Sequence, residues 1–138
     1  MERFEELYHS THIYRAWVLC GSDDETERVA RDLDERHHTV VTIVSDDVEN
    51  ERMTYVDKLE AFRGTARLLV ISYPAWHQIQ EDIEVHVLPH QNLLAFGDLE
   101  TDVCEYVKRR LADAARRGFK STCSEAHVMY LNEEENIA

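Results

Sequence analysis

The stretch AWVLCGSDDE, residues 16–25, decides the predicted fold. Its first five residues form a short, continuous apolar run, which is typical of a strand buried on both faces of a sheet. The run ends at Gly21. Ser22 follows, with Glu25 three positions later, and this spacing is typical of a helix capping box. The stretch therefore predicts a central strand that turns tightly into a helix.

The same alternation continues along the chain. The strand at residues 16–20 is followed by further predicted strands at residues 39–44, 68–71, 85–88 and 127–131. Helical patterns fill the intervals, one from Ser22 to residues 37–38, one that follows Asp46 and Asp47 and ends at Gly64, and one from Asp98 to Gly118, with another over residues 5–12. Strands that alternate with helices favour right-handed crossovers and a mostly parallel sheet. We therefore expect a three-layer α/β fold with helices on both faces of the sheet.

The length and the net charge of the chain limit its possible functions. The chain has 138 residues and a formal net charge of −13, which indicates one domain that does not bind nucleic acid through charge alone. Residues 1–14 are predicted to be a leading helix and linker, and residues 132–138 an acidic tail. No apolar run is long enough to span a membrane, and the acidic start differs from a signal peptide. We expect a cytoplasmic protein without DNA or membrane partners.

The turns after the predicted strands lack the common cofactor motifs. Neither GxxxxGK[ST] nor GxGxxG occurs, so no complete nucleotide site of either kind is predicted. The three cysteines are not spaced as a zinc site, and Cys20 is expected to be a buried apolar residue. Asp46 and Asp47 are interpreted as a solvated turn or, alternatively, as Mg²⁺ ligands of a receiver domain, which would require an aspartate after the third strand. Ser72, Tyr73 and Pro74 stand there instead. We expect no cofactor and no metal.

A basic strip has two interpretations. Six of the 15 basic residues fall within thirteen positions, and they are Lys108, Arg109, Arg110, Arg116, Arg117 and Lys120. The strip is either a solvated helix face that complements the helix dipole, or a surface that binds phosphate or acidic groups.

Several motifs resemble the C-terminal RecA-like lobe of DEAD-box RNA helicases, from about Leu7 to the last strand. Residues 16–22 resemble motif IV. Residues 43–52 resemble the segment that the family writes M-H-G-D-x-x-Q-x-x-R, and they keep Asp46 and Arg52. Phe62 and Arg63 match the family's F-R, and residues 69–72 resemble the strand that enters motif V. The resemblance implies a RecA-like fold.

The resemblance fails where the family holds ATP. Motif V, T-T-D-x-x-A-R-G-[IL]-D, becomes SYPAWHQIQE at residues 72–81, so that Pro74, Gln78 and Ile79 replace its Asp, Arg and Gly. In motif VI, Arg109 aligns with the first Arg, whereas Leu111 and Ala112 replace the Gly and the second Arg. Arginine fingers of this kind raise phosphoryl-transfer rates by orders of magnitude. The resemblance therefore implies a degenerate lobe that is not an enzyme.

The resemblance also implies a role in interactions. The main hypothesis is a protein-docking or self-associating lobe in an RNA-processing assembly, with Tyr73 and Trp76 as exposed docking residues. Degenerate lobes of this kind occur in Tudor-containing factors of the piRNA pathway, such as the Yb group, which implies gene silencing in cytoplasmic ribonucleoprotein granules. The alternative is an RNA-binding module. It would use the residues at the family's RNA contacts and the basic strip, namely Arg52, Ser72, Lys108, Arg109 and Arg116.

Overall fold

A computed structural model describes residues 4–6, 8, 15–36, 38–49, 54–64, 68–81, 92–116 and 128–131. The strands are β1 (Arg15–Cys20), β2 (Val40–Ile43), β3 (Leu68–Ser72), β4 (Asn92–Phe96) and β5 (Val128–Tyr130). The helices are α1 (Asp23–Glu35), α2 (Ser45–Glu49), α3 (Thr54–Gly64), α4 (Tyr73–Gln78) and α5 (Thr101–Arg116). None of the helices in these ranges has the length and hydrophobicity of a membrane-spanning segment.

The described strands form one parallel sheet in the order β2-β3-β1-β4-β5. β1 lies at its centre, where Trp17 is opposite Leu69 of β3 on one side and Leu94 of β4 on the other. β2 pairs with β3, and β5 pairs with β4, so that all four pairings are parallel. The predicted three-layer, RecA-like α/β arrangement is confirmed.

Both faces of β1 are buried, which explains its uninterrupted apolar sequence. Trp17 and Leu19 point to one face, where they join buried residues of α3, α4 and α5. Ala16, Val18 and Cys20 point to the other face, where they join α1 and the N-terminal helical residues. Burying one large apolar side chain contributes about 1.5–3 kcal/mol, so the two layers of helices are held mainly by this central strand and its neighbours.

Most predicted strands are confirmed, and one strand was missed. β1, β2, β3 and β5 lie within one to two residues of the predicted segments. The predicted strand at residues 85–88 lies outside the described residues. β4 was not predicted, because its sequence NLLAF has no β-branched residue, whereas the neighbouring run VHVL has two.

The helices differ from the prediction at two places. The helical stretch predicted after Asp46 and Asp47 is described as α2 and α3, and residues 50–53 between them lie outside the described part of the chain. α4 was not predicted, although Pro74 is compatible with the first turn of a helix. Asp98 does not begin α5: the helix starts at Thr101, and the carbonyl of Glu100 accepts its first hydrogen bonds. Gly118, the predicted end, lies outside the described residues.

The N-terminal segment is described at residues 4–6 and 8, which are helical as predicted. Phe4 and Tyr8 are buried against the α1 face of the sheet, and a carboxylate oxygen of Glu5 lies 2.7 Å from Nε2 of His38. The other residues of the predicted leading helix and linker, 1–3, 7 and 9–14, lie outside the described part of the chain. The acidic tail at residues 132–138 also lies outside it.

Gly21 allows two turns at the carboxyl edge of the sheet to approach closely. A Cβ atom at Gly21 would lie 2.5 Å from the backbone oxygen of Asp98. Because that oxygen belongs to the backbone, it cannot move aside without shifting the turn after β4. The glycine is therefore required by the packing of the turn after β1 against the turn after β4.

We predict that Gly21→Ala lowers the free energy of unfolding by roughly 1–3 kcal/mol, because the added methyl group forces the two turns apart. Denaturant titration followed by circular dichroism measures this change. Ala112→Ser, on the exposed side of α5, is the control and should change the same quantity by less than about 0.5 kcal/mol. Equal stability of Gly21→Ala and the wild type would show that the turns are not tightly packed.

Candidate functional site at the carboxyl edge of the sheet

Glu25 connects the end of β1 to the end of β4. The Ser22 hydroxyl accepts a hydrogen bond of 3.1 Å from the Glu25 backbone N–H, as the predicted helix cap requires. The Glu25 carboxylate does not return this bond to the cap. It accepts instead from the backbone N–H of Gly21 at 2.9 Å, and the N–H of Asp98 lies 3.1 Å from its Oε2. One side chain thus satisfies donors on two turns.

Asp23 connects the ends of β1, β2 and β3. Its Oδ1 accepts from the backbone N–H of Ser45 at 3.1 Å and from the Ser45 hydroxyl at 3.2 Å, and the Ser72 side chain also hydrogen bonds to Asp23. Partial burial acts to raise the pKa of Asp23, but the hydrogen bonds from Ser72 and Ser45 stabilise the carboxylate, and the net effect lowers the pKa. We call Asp23 and Glu25 the carboxylate clamp.

The clamp occupies the part of the fold that commonly binds anions. In open α/β sheets, ligands bind beyond the carboxyl ends of the strands, and helix N-termini attract phosphate. Here the first turn of α1 carries three acidic residues, Asp23, Asp24 and Glu25. Their carboxylates complement the helix dipole, and two of them already accept hydrogen bonds from the turns. A phosphate would therefore meet occupied donors and like charge.

A cleft of about 420 Å³ opens above this edge. Its apolar wall includes Tyr73, Leu99 and Val103, and its acidic wall includes Asp98 and Glu100. Arg28 of α1 lies on the rim and is exposed. The cleft combines apolar surface with carboxylates, which is not the environment that a nucleotide phosphate requires.

Of the five residues proposed for RNA contact, the three whose side chains are described do not form an exposed basic surface. Ser72 is fully buried, and its hydroxyl accepts from the Ala75 N–H at 3.3 Å. Lys108 lies 5.3 Å from the centre of the Tyr130 ring, and its Nζ is 3.7 Å from Glu105. Arg109 is exposed. Arg116 is the last residue of α5, but its side chain is outside the described part of the chain, as is the whole of Arg52.

The basic strip on α5 is accompanied by acidic residues. Arg109 is four residues after Glu105 and four before Asp113, and a helix places residues four apart on one face. The hydrogen bond with Tyr130 is the main cause that raises the pKa of Lys108. The ammonium group of Lys108 is therefore engaged by a side chain of the same domain. The described part of the strip is a mixed charged face.

The two proposed docking residues belong to an aromatic cluster, which comprises Tyr73, Trp76, His77 and Tyr106. Trp76 is only 1% exposed, so the expectation that it is a surface residue is wrong: it packs into the core between α4 and the sheet. Tyr73 is half-buried and its ring centre lies 5.9 Å from that of Trp76. His77 is exposed, and its ring stacks on Tyr106 at 6.5 Å.

His77 and Tyr106 were missed by sequence reasoning. A signal existed for His77, because it follows Tyr73 by four residues, and residues at this spacing share a helix face. That signal was hidden because α4 itself was not predicted. Tyr106 comes from α5, and only the packing of α5 against α4 places its ring against both Trp76 and His77.

A groove of about 510 Å³ lies beside the aromatic cluster. Its wall includes His77, Tyr106 and Arg110 together with the amide side chains of Gln78 and Gln80. The Tyr106 hydroxyl donates a 3.2 Å hydrogen bond to Oε1 of Gln80, which fixes one side of the groove. Rings and amides in a concave surface suit contacts with a polypeptide better than contacts with a phosphate backbone.

Neither of the two described cysteines is an activated nucleophile. Cys20 is fully buried, and burial together with the charge of Glu25 raises the pKa of its thiol to about 12. Burial also raises the pKa of the Cys104 thiol. Asp47, one of the two residues in the Mg²⁺ interpretation, is paired with Lys58 at 2.9 Å. No cluster of histidine, cysteine and acidic side chains in the described ranges could hold a metal ion.

No family model matches the chain, and a search of curated proteins finds no match. The function is therefore argued from the fold, from the carboxylate clamp and from the aromatic cluster.

We predict that Asp23→Asn lowers the free energy of unfolding at pH 7 by about 1–2 kcal/mol, because it replaces charge-assisted hydrogen bonds with neutral ones. The pKa of Asp23 in the native protein lies below the ordinary value of an aspartate, because of its hydrogen bonds with Ser72 and Ser45. The stabilisation is therefore fully present above the unfolded pKa and is lost as the pH falls through the lower, native pKa. Urea titrations at several pH values measure this change.

Asp24→Asn is the matched control, since it removes the same charge from the first turn of α1 at an exposed position. Its effect should be smaller, about 0.5 kcal/mol, because only the interaction with the helix dipole is weakened. If both variants lost the same stability at every pH, the hydrogen bonds of Asp23 would have no special role.

We predict that Cys20 resists alkylation by iodoacetamide at pH 8 in the native protein, because the thiolate is the reactive form and the pKa is raised to about 12. Mass spectrometry of the peptide that contains Cys20 measures labelling. The control is the same reaction in guanidinium chloride, where Cys20 should be labelled fully. Rapid labelling without denaturant would mean that this end of β1 opens readily.

Proposed function

We propose that this chain is a non-catalytic, RecA-like domain that binds proteins, with a second copy of itself as the first partner to be tested. The observation that carries the proposal is the carboxylate clamp. Asp23 and Glu25 accept hydrogen bonds from the turns where an α/β domain of this kind would otherwise contact a phosphate. A domain whose anion-binding positions are filled by its own carboxylates is suited to a structural role.

Electrostatics supports the same proposal. The chain carries a formal net charge of −13, and three of its acidic residues lie in the first turn of α1. A polyanion that approached this edge would have to displace carboxylates from charge-assisted hydrogen bonds, which typically contribute about 1.5–3 kcal/mol each. ATP and RNA therefore gain little at the carboxyl edge.

The aromatic cluster is the proposed docking surface. Protein interfaces are enriched in aromatic side chains, and a few of these residues carry most of the binding energy. Tyr73 and His77 present ring surface on α4, beside the groove that Tyr106 and Gln80 border. The buried Trp76 lies against the rings of Tyr73 and Tyr106, so its role is to position them rather than to contact a partner directly.

The proposal includes a cellular setting, which is supported by the resemblance to DEAD-box helicases. The domain would belong to an RNA-processing assembly, specifically to a Tudor-containing piRNA factor of cytoplasmic ribonucleoprotein granules. The RNA-binding alternative has one exposed described residue in its favour, Arg109, since Ser72 is buried and Lys108 is engaged by Tyr130.

Sedimentation equilibrium over a wide range of concentrations tests the proposal. We expect the mass to rise above the 16.2 kDa of a single chain as the concentration increases. We predict that His77→Ala weakens this association by about tenfold, the typical cost of truncating an interface residue that contributes over 1 kcal/mol. His77 is exposed, so the variant should keep its thermal stability.

Arg109→Ala is the control, because it lies on the exposed face of α5 and outside the aromatic cluster. It should associate like the wild type. A chain that stays at 16.2 kDa at every concentration would contradict self-association. If it also bound single-stranded RNA at low salt and lost that binding in Arg109→Ala, the RNA-binding alternative would replace the proposal.

A further inference from the structure

β2 is the last strand on its side of the described sheet. The backbone N–H of Leu68 donates to the carbonyl of Thr39, which fixes the register of β2 against β3. Backbone groups alternate in direction along a strand, so those of Thr39, Val41 and Ile43 point toward β3 and those of Val40 and Thr42 point outward. Outward groups of this kind are a template on which another chain can add a strand.

Two side chains occupy the outward groups at the carboxyl end of β2. Nζ of Lys58, on α3, donates a 2.6 Å hydrogen bond to the carbonyl of Thr42. Oδ2 of Asp47, on α2, accepts a 2.9 Å hydrogen bond from the backbone N–H of Val44. The two side chains also contact each other, with Lys58 Nζ at 2.9 Å from Asp47 Oδ1 and 3.0 Å from Oδ2.

The spacing of these contacts matches that of a parallel strand. In such a pairing, one residue donates its N–H to a carbonyl of the neighbouring strand and accepts from the N–H two residues further along. Thr42 and Val44 are two residues apart and supply that carbonyl and that N–H. Lys58 takes the role of the donor and Asp47 the role of the acceptor, so the ion pair fills the place of one residue of an additional strand.

The Lys58–Asp47 pair is only partly exposed to water. The side chains of Lys58 and Asp47 are 34% and 13% exposed, so water screens the pair only partly.

We propose that the Lys58–Asp47 pair is an edge guard that prevents β2 from pairing in parallel with a strand of a second copy of this chain. A strand that approached the edge would have to displace two backbone hydrogen bonds and separate a partly buried ion pair. Assembly of the domain is thereby directed to other surfaces. This inference does not depend on the proposed function, because it concerns a surface on the opposite side of β3 from β1.

Lys58→Met tests the guard, since it keeps an unbranched side chain and removes the ammonium that binds Thr42. We expect its mass in sedimentation equilibrium to exceed that of the wild type at the same concentration. Hydrogen exchange read by NMR should show the amide of Thr42 newly protected in the assembled variant, because that outward N–H would then donate to another chain.

Arg31→Met is the matched control. Arg31 lies on α1 at the wall of the cleft of about 580 Å³ that Lys58 also borders, and the substitution changes the net charge by the same amount. It should sediment like the wild type. Thr42→Pro in the Lys58→Met background removes the outward N–H and should restore the wild-type mass, because proline at an edge position blocks pairing on that side.

Three results would overturn the inference. Lys58→Met could keep the wild-type mass and the wild-type exchange rate at Thr42. Arg31→Met could associate equally, which would assign the effect to net charge. Association of Lys58→Met without protection of Thr42 would place the contact on another surface. Each result is distinct from failure of the proposed self-association, which is read from the wild type and from His77→Ala.

Discussion

The arrangement depends on two carboxylates that hold the turns at the carboxyl edge of the sheet. Asp23 joins the turns after β1, β2 and β3, and Glu25 joins the turns after β1 and β4. Parallel strands leave several backbone N–H groups at this edge without a partner within the sheet, and such groups are costly to bury unsatisfied. The clamp satisfies them with side chains from a single helical turn, which sets the position of α1 over β1.

The clamp has a consequence for function that follows from charge. A carboxylate and a phosphate compete for the same kind of site, because both bind backbone N–H groups at helix N-termini. Here the intramolecular carboxylates have the advantage, since the fold already holds them in place and they lose little freedom on binding. The hydrogen-bonding groups at the strand ends are therefore used within the fold, which supports the proposal that the aromatic cluster makes the contacts with other molecules.

The candidate site could be predicted only in part. The spacing of Ser22 and Glu25 predicted the helix cap, and the structure confirms the bond from the Glu25 N–H to the Ser22 hydroxyl. The partner of the Glu25 side chain could not be predicted from this spacing. Its carboxylate accepts a hydrogen bond from the backbone N–H of Asp98, which is 73 residues away in sequence. The burial of Trp76 could not be predicted from the sequence either. A tryptophan that follows a proline is compatible with a surface or a core position, and here the packing of α5 against α4 buries it.

By itself, the sequence determined the layers of this protein. Continuous apolar runs such as residues 16–20, separated by helices with one apolar face, are compatible with a buried parallel sheet and with little else. Only the tertiary structure decided which polar side chains are exposed to solvent and which are engaged by other segments of the chain. Three polar residues show this. Ser72 is buried at the start of α4, Lys108 lies against the ring of Tyr130, and Lys58 binds the carbonyl of Thr42 at the edge of β2. The physical reason is that periodicity encodes which face of an element is apolar, whereas the partner of a polar group depends on contacts between segments far apart in the chain.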